Sequence, residues 1–317
     1  MKKIITFALL WIAFGASAQD NPLLDMYLQN RLLINPAYGG SLEQTVVRAN
    51  FRRQWTNFEN APDVNSLSFH TRLFDGKRSA IFKKVGHGLG GTVYSETEGP
   101  INLFGISGSY AYHMPFDNFQ LAAGLALSAS NFGLRYLDLS YALSDDPAAI
   151  AEANQRFIPD ADIGIYMYDT EDKFFLGFTG AQLVRSVVNL NQSDSIDVHN
   201  GMGRQFIFMG GIRAIDNLRF ILETSMVAIL RQEYMKQNEI HLNAKASVVN
   251  YLNRYNNEIL SFSISYRTKR AFLAQVELGM ANLYLAYAYE HGFSKIQVYS
   301  GGTHNVSIGI NIDKYRR

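Results

Sequence analysis

Apolar and polar side chains alternate along most of this 317-residue chain. Residues 239–248 read EIHLNAKASV, so every second side chain is apolar, and residues 66–73, 260–267 and 305–313 repeat the pattern closely. Successive side chains of a β-strand leave opposite faces of a sheet, whereas an amphipathic helix needs apolar residues three and four positions apart. The alternation therefore predicts an all-β chain.

About fourteen such segments follow one another within residues 44–313, without a linker that would divide them into two domains. Some joins are tight, such as 117–118 and 216–217, while others are long, such as 134–159 and 186–202. Short turns at one rim and longer loops at the other are typical of outer-membrane barrels. A soluble β-sandwich or a small soluble barrel is the alternative, since its strands alternate as well.

Composition favours the membrane barrel over the soluble alternative. Charged residues make up only 18% of the chain, and the polar faces carry mainly Ser, Gly, Asn and Gln, which suits a wet lumen. We therefore predict a transmembrane antiparallel outer-membrane β-barrel of about 14 strands, with a short N-terminal segment before the first strand. Aromatic side chains near the predicted strand ends are interpreted as interfacial girdles: Trp55, Phe58, Tyr94, Tyr110, Tyr112, Tyr166, Tyr168, Tyr287 and Tyr289.

The start of the chain is typical of an export signal. Residues 1–18 read MKKIITFALLWIAFGASA, with two lysines, a short apolar core and a small-residue cleavage site, as in a Sec-type signal peptide. The longest near-apolar run after it, residues 121–129, is far shorter than the roughly 20 residues of a membrane helix. We therefore divide the chain into a cleaved signal peptide (1–18), an N-terminal segment (19–43) and an outer-membrane barrel (44–317).

Charge and motifs argue against several function classes. Lys and Arg number 29 and Asp and Glu 28, so a surplus of cations for binding nucleic acid is missing, and the absence of cysteine excludes disulfide scaffolds and thiol nucleophiles. Residues 86–91 read GHGLGG, which fits a dinucleotide-binding pattern, but a strand-like sequence follows instead of the required helix. Glycines that permit close packing are the preferred interpretation. The histidines and acidic pairs show no ligand spacing, so we predict no catalytic residue, cofactor or metal.

Two adjacent arginines are predicted to face opposite sides of the first strand. Residues 51–55 read FRRQW. Alternation assigns Arg52 and Gln54 to the polar lumen face, and Arg53 and Trp55 to the lipid face. Because an arginine on the lipid face costs about 2–4 kcal/mol at the midplane and little near the interface, Arg53 and Trp55 are expected at a rim.

Several motifs resemble one known family. Residues 27–41 read YLQNRLLINPAYGGS and residues 51–55 read FRRQW, which is similar in order and spacing to the PorP/SprF family of type IX secretion system membrane proteins. Shorter matches cover nearly the whole chain after residue 18 and occur at residues 61–62, 66–71, 88–91, 98–100, 109–113, 289–292 and 300–304. The chain departs from the family pattern at Tyr289-Glu290 and in its final residues 314–317.

The resemblance implies an outer-membrane β-barrel of Bacteroidota that belongs to the type IX secretion system or serves it as a partner. Other secretion components, a secreted surface protein such as a gliding adhesin, and outer-membrane lipid are the implied partners. It carries over no catalytic residue. The motif residues to which it gives a structural or interaction role are Asn35, Pro36, Ala37, Tyr38, Gly40, Arg52, Arg53, Gln54, Trp55, Pro62, His70, Gly90, Gly99, Pro100, Tyr110 and His304.

The N-terminal segment and the function both have open alternatives. Pro36 prevents a helix at that point, and residues 20–41 are expected to pack inside the barrel or across its periplasmic mouth, or to form an ordered leader. A general porin or solute channel is the alternative to a secretion role. A barrel enzyme such as a lipid hydrolase is the third hypothesis, and it would need Ser, His and an acid at one rim.

Overall fold

The computed structural model describes residues 26–42, 44–73, 85–134, 156–184, 204–217, 219–232, 238–249, 258–280 and 282–313. The expected signal peptide (1–18), most of the two long joins and the tail at 314–317 lie outside the described residues. Within the described part, no helix combines the length and apolar character that a membrane-crossing helix requires.

Fourteen antiparallel strands form a closed barrel in which each strand pairs with its neighbours in the chain, and the last strand pairs with the first. The strands are β1 (Gln44–Arg53), β2 (Asp63–Leu73), β3 (Gly86–Glu98), β4 (Ile101–Pro115), β5 (Phe119–Leu134), β6 (Arg156–Asp169), β7 (Phe174–Ala181), β8 (Gln205–Asp216), β9 (Phe220–Arg231), β10 (Glu239–Val249), β11 (Glu258–Arg267), β12 (Ala271–Met280), β13 (Leu283–Gly292) and β14 (Thr303–Asp313). Closure is visible at Ala49, which lies opposite Leu67 on one side and Ile308 on the other. The predicted 14-strand antiparallel barrel is confirmed.

The apolar side chains point outward. Ile264 is 66% exposed while its neighbour Ser265 is fully buried, and Phe51 is 46% exposed while Arg52 is 1% exposed. A soluble barrel would place the apolar face inside, because only that side is shielded from water. The apolar outer face is the one that a barrel in lipid requires.

The two rims of the barrel differ in their connections. At one rim, long joins connect successive strands, including residues 54–62, 135–155 and 182–204. At the other rim, where β1 begins and β14 ends, most joins between strands are only two to four residues long, and 116–118 and 170–173 are examples, although residues 74–85 and 250–257 make longer joins. We call these the loop rim and the turn rim. Short turns face the periplasm in outer-membrane barrels, which assigns the turn rim to that side.

Residues 26–41, which we call the inner segment, lie inside the barrel and are almost entirely buried. Two short 3₁₀ turns, Arg31–Leu33 and Pro36–Tyr38, shape the segment. Each is preceded by an asparagine whose side-chain oxygen accepts a backbone N–H bond, from Leu32 or from Ala37. Such asparagine caps satisfy donors that a short turn leaves free.

Some of the expected girdle aromatics face inward instead. Tyr166 and Tyr168 are buried in an apolar cluster with the inner segment, and Tyr94 lies on the inward face of β3. Strand alternation sets these directions, and the inner segment supplies an apolar surface that makes an inward tyrosine favourable. Tyr110 and Tyr287 are exposed on the outer face, as a girdle requires.

Candidate functional site

Glycines on the inward faces of β3 to β7 let the inner segment approach the barrel wall closely. A Cβ atom on Gly88 would collide with the carbonyl oxygen of Gly39, and one on Gly124 would collide with the backbone nitrogen of Ala37. Any larger residue would therefore displace the segment. We call the inward face of β2 to β8 the glycine wall. Its glycines next to the inner segment are Gly88, Gly90, Gly124, Gly164 and Gly177.

Hydrogen bonds to main-chain atoms hold the inner segment on the glycine wall. The Asn35 amide donates to the carbonyl oxygen of Ile165 at 3.0 Å. His113 Nε2 lies 2.8 Å from the Gly39 carbonyl oxygen, and Gly40 donates its N–H to His70 Nδ1 at 3.2 Å. The two histidines thus position the backbone of the segment.

Aromatic packing completes this side of the interior. The Tyr38 ring meets the Tyr166 ring edge-on at 5.5 Å between centroids and lies 5.3 Å from the His70 ring. Buried aromatic pairs of this geometry add to the free energy of burial. The cluster extends to β8 and the loop-rim half of β9 through Ile207, Met209, Val227 and Ile229.

The opposite side of the interior is polar. We call it the polar wall: the inward face of β10 to β12 with the turn-rim half of β9, carrying Glu223, Ser225, Asn243, Lys245, Ser263, Gln275 and Glu277. The inner segment reaches this wall through side chains rather than backbone. Gln29 donates to Gln275, Arg31 pairs with Glu223 at 2.6 Å, and the Tyr27 ring stacks on His241 at 5.6 Å.

Ion pairs dominate the electrostatics of the polar wall. Lys245 lies between the carboxylates of Glu258 and Glu277, at 2.6 and 2.7 Å. Enclosure inside the barrel lowers the pKa of Arg31, but the Glu223 carboxylate and the hydroxyl groups of Tyr166 and Tyr38 together outweigh this effect, and the pKa is raised above its ordinary value. The Arg31 side chain therefore carries its charge at any physiological pH.

A large cavity opens between the inner segment and the turn rim. This vestibule has a volume of about 730 Å³, and its lining includes Tyr38, Arg48 and Glu258 together with turn residues such as Asp172. A second cavity of about 50 Å³ lies deeper, between the inner segment and Ser225, Asn243 and Ser263 of the polar wall. The barrel interior is therefore enterable from the turn rim as far as the inner segment.

Another buried charge cluster lies toward the loop rim. The Glu290 carboxylate accepts from Arg267 at 2.7 Å and from Arg52 at 3.5 Å, and all three side chains are almost fully buried. Breaking such a pair by removing one partner is costly, because a buried charge is left uncompensated. The lumen position predicted for Arg52 agrees with this arrangement, and Gln54 accepts a further bond from Arg52.

The motif residues predicted from the resemblance fall into three places. Asn35, Pro36, Ala37, Tyr38 and Gly40 belong to the inner segment, where the structure brings them together with His70 and Gly90. The second set lies at the loop rim, where Gln54 donates its N–H to the Pro62 carbonyl and Gly99 donates to Asn60, next to Pro100. The third set, Arg53, Tyr110 and His304, faces outward and does not meet the others.

The outward-facing residues form interfacial contacts instead of a site. Tyr110 bonds His87 at 2.6 Å near the turn rim, and His304 bonds Tyr287 at 2.7 Å near the loop rim. Arg53 lies at the loop-rim end of β1, opposite His304. Trp55 lies beyond the end of β1 with a left-handed backbone (φ 49°), so it belongs to the loop and not to the strand face.

Sequence reasoning missed the residues of the polar wall and most of the wall glycines. Glu223, Lys245 and Glu277 are charged residues on the polar face of alternating strands. Their position on that face is the sequence feature from which a charged lumen wall could have been predicted. Nothing in the local sequence marks Gly124 or Gly164, because their role depends on the inner segment lying opposite them.

Comparison with known families decides the relationship of this molecule. The family model of the type IX secretion system membrane protein PorP/SprF matches residues 16–310. The chain belongs to the PorP/SprF family. A closed β-barrel in this family is an outer-membrane barrel of the type IX secretion system, which associates with other secretion components. The PorP/SprF family is one of secretion membrane proteins.

More distant comparisons add no functional argument. No curated protein matches the chain. Solved structures with a similar outline include the TodX monoaromatic hydrocarbon channel deltaS2 mutant, with 12% identity over 88% of this chain and 91% of that chain and a TM-score of 0.43. The β domain of the Bordetella autotransporter Brka has 13% identity over 85% and 98%, with a TM-score of 0.34. A mutant Rh. blastica porin has 8% identity over 85% and 99%, with a TM-score of 0.34.

Proposed function

We propose that this barrel supports the secretion or surface attachment of a secreted protein, such as a gliding adhesin, as part of the type IX secretion system or as its dedicated partner. The PorP/SprF family membership carries the proposal. The chain reaches the outer membrane after cleavage of residues 1–18, so N-terminal sequencing of the protein in that membrane should begin at Gln19.

The inner segment acts in this proposal as a plug. Its contacts with the glycine wall and the polar wall occupy the middle of the barrel, which suits a protein that mounts partners at its rims better than one that passes solutes. The motif residues then divide in role: Asn35 to Gly40, with His70 and Gly90, hold the plug, and Gln54, Pro62, Gly99 and Pro100 shape the loop rim.

A gentle detergent pull-down with mass spectrometry tests the secretion role. The tagged barrel should recover a secretion component or a secreted surface protein, and an unrelated outer-membrane barrel with the same tag serves as control. Recovery of neither class of protein, together with normal secretion after deletion of the gene, would contradict the proposal.

Deletion of residues 20–40 tests the plug. We expect impaired barrel folding or secretion, because the glycine wall loses the segment that covers it. A deletion variant that folds and secretes as the native chain does would show that the segment is only a leader.

A solute channel is the second candidate, and the vestibule of about 730 Å³ is the observation that favours it. Planar bilayer recordings separate the two functions. Stable conductance of the native barrel together with unchanged secretion in the deletion strain would favour the channel.

A further inference from the structure

The vestibule and the deeper cavity are separated by a thin layer of side chains. Both cavities are lined by Arg31, Phe175, Glu223, Lys245 and Glu277. These residues therefore form the partition between water that enters from the turn rim and the interior of the polar wall.

The Arg31 guanidinium is the charged group that the inner segment contributes to this partition. It pairs with the Glu223 carboxylate at 2.6 Å and lies over the Phe175 ring at 3.9 Å from the centroid. The other members, Glu223, Lys245 and Glu277, are fixed in strands. Arg31 reaches them on a long flexible side chain from the inner segment, and its side chain is 28% exposed.

The deeper cavity is built for a polar occupant. Asn243 donates to Ser225 at 3.3 Å and accepts from Ser265 at 2.8 Å. Ser263 is only 4% exposed and lines the cavity, and its hydroxyl has no hydrogen-bond partner among the described residues. A cavity of about 50 Å³ exceeds the roughly 10–15 Å³ that one water molecule needs.

The charges around this cavity favour a cation. The charged side chains that line this cavity are Glu223, Glu277, Lys245 and Arg31. When the Arg31 side chain is withdrawn, two carboxylates remain beside one ammonium group. The guanidinium therefore occupies a position that would otherwise attract a positive ion.

We propose that the polar wall contains a site for a small cation, formed by Glu223, Glu277, Ser225, Asn243 and Ser263, which Arg31 occupies and closes in this structure. Displacement of Arg31 opens the site to the vestibule, so that ammonium-type, guanidinium or hydrated alkali ions can enter from the periplasmic side. The site is independent of the secretion role.

The absence of cysteine makes a direct test possible, because a single substituted cysteine is the only thiol in the chain. Ser263→Cys places a thiol in the deeper cavity. In the folded barrel it should react slowly with a cationic methanethiosulfonate reagent. Adding Arg31→Ala should raise the rate by about tenfold or more, because access no longer requires breaking the ion pair.

Two further readouts identify the site as cation-selective. With Arg31→Ala, the rate of reaction with the Ser263→Cys thiol should increase more for the cationic reagent than for an anionic reagent of similar size. Millimolar guanidinium should then slow the reaction again, because it fills the position that Arg31 has left. With Glu223→Gln, the thiol of Ser263→Cys should also react faster. The ratio of the cationic to the anionic rate should be smaller than with Arg31→Ala, because one carboxylate is lost.

Matched controls keep the proposal falsifiable. Arg213→Ala removes a vestibule cation that does not line the deeper cavity and should leave the Ser263→Cys rate unchanged. Ser109→Cys, behind the inner segment on the glycine wall, should stay unreactive in both backgrounds. If Arg31→Ala does not fold, as judged by heat-modifiable gel mobility, Arg31→Gln replaces it, because it keeps much of the side chain and removes the charge. An unchanged rate in the folded variant, or a larger gain for the anionic reagent, would overturn the proposal.

Discussion

The two walls of the barrel interior hold the same inner segment in different ways. On the glycine wall, backbone approaches backbone, as at Gly124 and Ala37, and aromatic rings fill the remaining space. On the polar wall, long side chains such as Gln29 and Arg31 bridge the gap, and a cavity of about 50 Å³ remains between them.

The difference shows which contacts define the position of the segment. Close packing against the glycine wall prevents the inner segment from shifting, because any displaced atom would either lose its packing contacts or clash with the backbone of a strand. Side-chain ion pairs beside a water-accessible cavity are weaker and can exchange partners. The glycine wall therefore positions the segment, and the polar wall leaves one side of it adjustable.

The largest expected effect comes from the aromatic core of the glycine wall. Tyr38→Ala should lower the free energy of unfolding by about 3–5 kcal/mol, because a buried ring is replaced by a cavity. Tyr110→Ala on the outer face should cost less than about 1 kcal/mol. Denaturant unfolding in lipid vesicles measures both changes. Equal losses of unfolding free energy in the two variants would contradict the conclusion that packing on the glycine wall positions the inner segment.

A single added methyl group gives the next largest effect. Gly124→Ala should cost about 1–3 kcal/mol, since the new Cβ collides with the backbone at Ala37. Gly108→Ala is the matched control, because a Cβ there would meet no atom within 4 Å. If both variants unfold at the same denaturant concentration, the close contact does not constrain the segment.

Loss of an ion pair on the polar wall should matter less. Glu223→Gln should cost about 1 kcal/mol, because the Arg31 side chain keeps access to water in the vestibule. The unfolding free energy should be measured at low and at high salt. The loss caused by Glu223→Gln should be smaller at high salt, because salt screens the Arg31–Glu223 pair. A loss as large as that of Tyr38→Ala would show that the polar wall also positions the segment.

An effect of similar or smaller size is expected at a neutral hydrogen bond. Gln29→Ala should cost about 0.5–1.5 kcal/mol, the usual contribution of such a bond. Gln275→Ala should cost more, because the Gln275 amide also donates to the Glu277 carboxylate, and the double variant should cost less than the sum of the two because the Gln29–Gln275 bond is shared. Additive costs would mean that these two side chains act separately.

Much of the fold could be predicted because strand alternation is a local property. The opposite directions of Arg52 and Arg53 follow from period-two geometry alone, and the structure confirms the inward position of Arg52. The same rule also sets the inward direction of Tyr166 and Tyr168, but only the inner segment explains why tyrosines belong there. Their interpretation as membrane girdle residues was therefore wrong.

By itself, the sequence determined the barrel and the alternation of inward and outward side chains along each strand, because these depend on neighbouring residues in one strand. Only the tertiary structure decided which residues contact one another inside the barrel. Arg31 and Glu223 are separated by 192 positions in the chain, and the space that Gly124 leaves free is filled by Ala37. Such partners meet only when the barrel closes around the inner segment, so no periodicity within one strand could identify them.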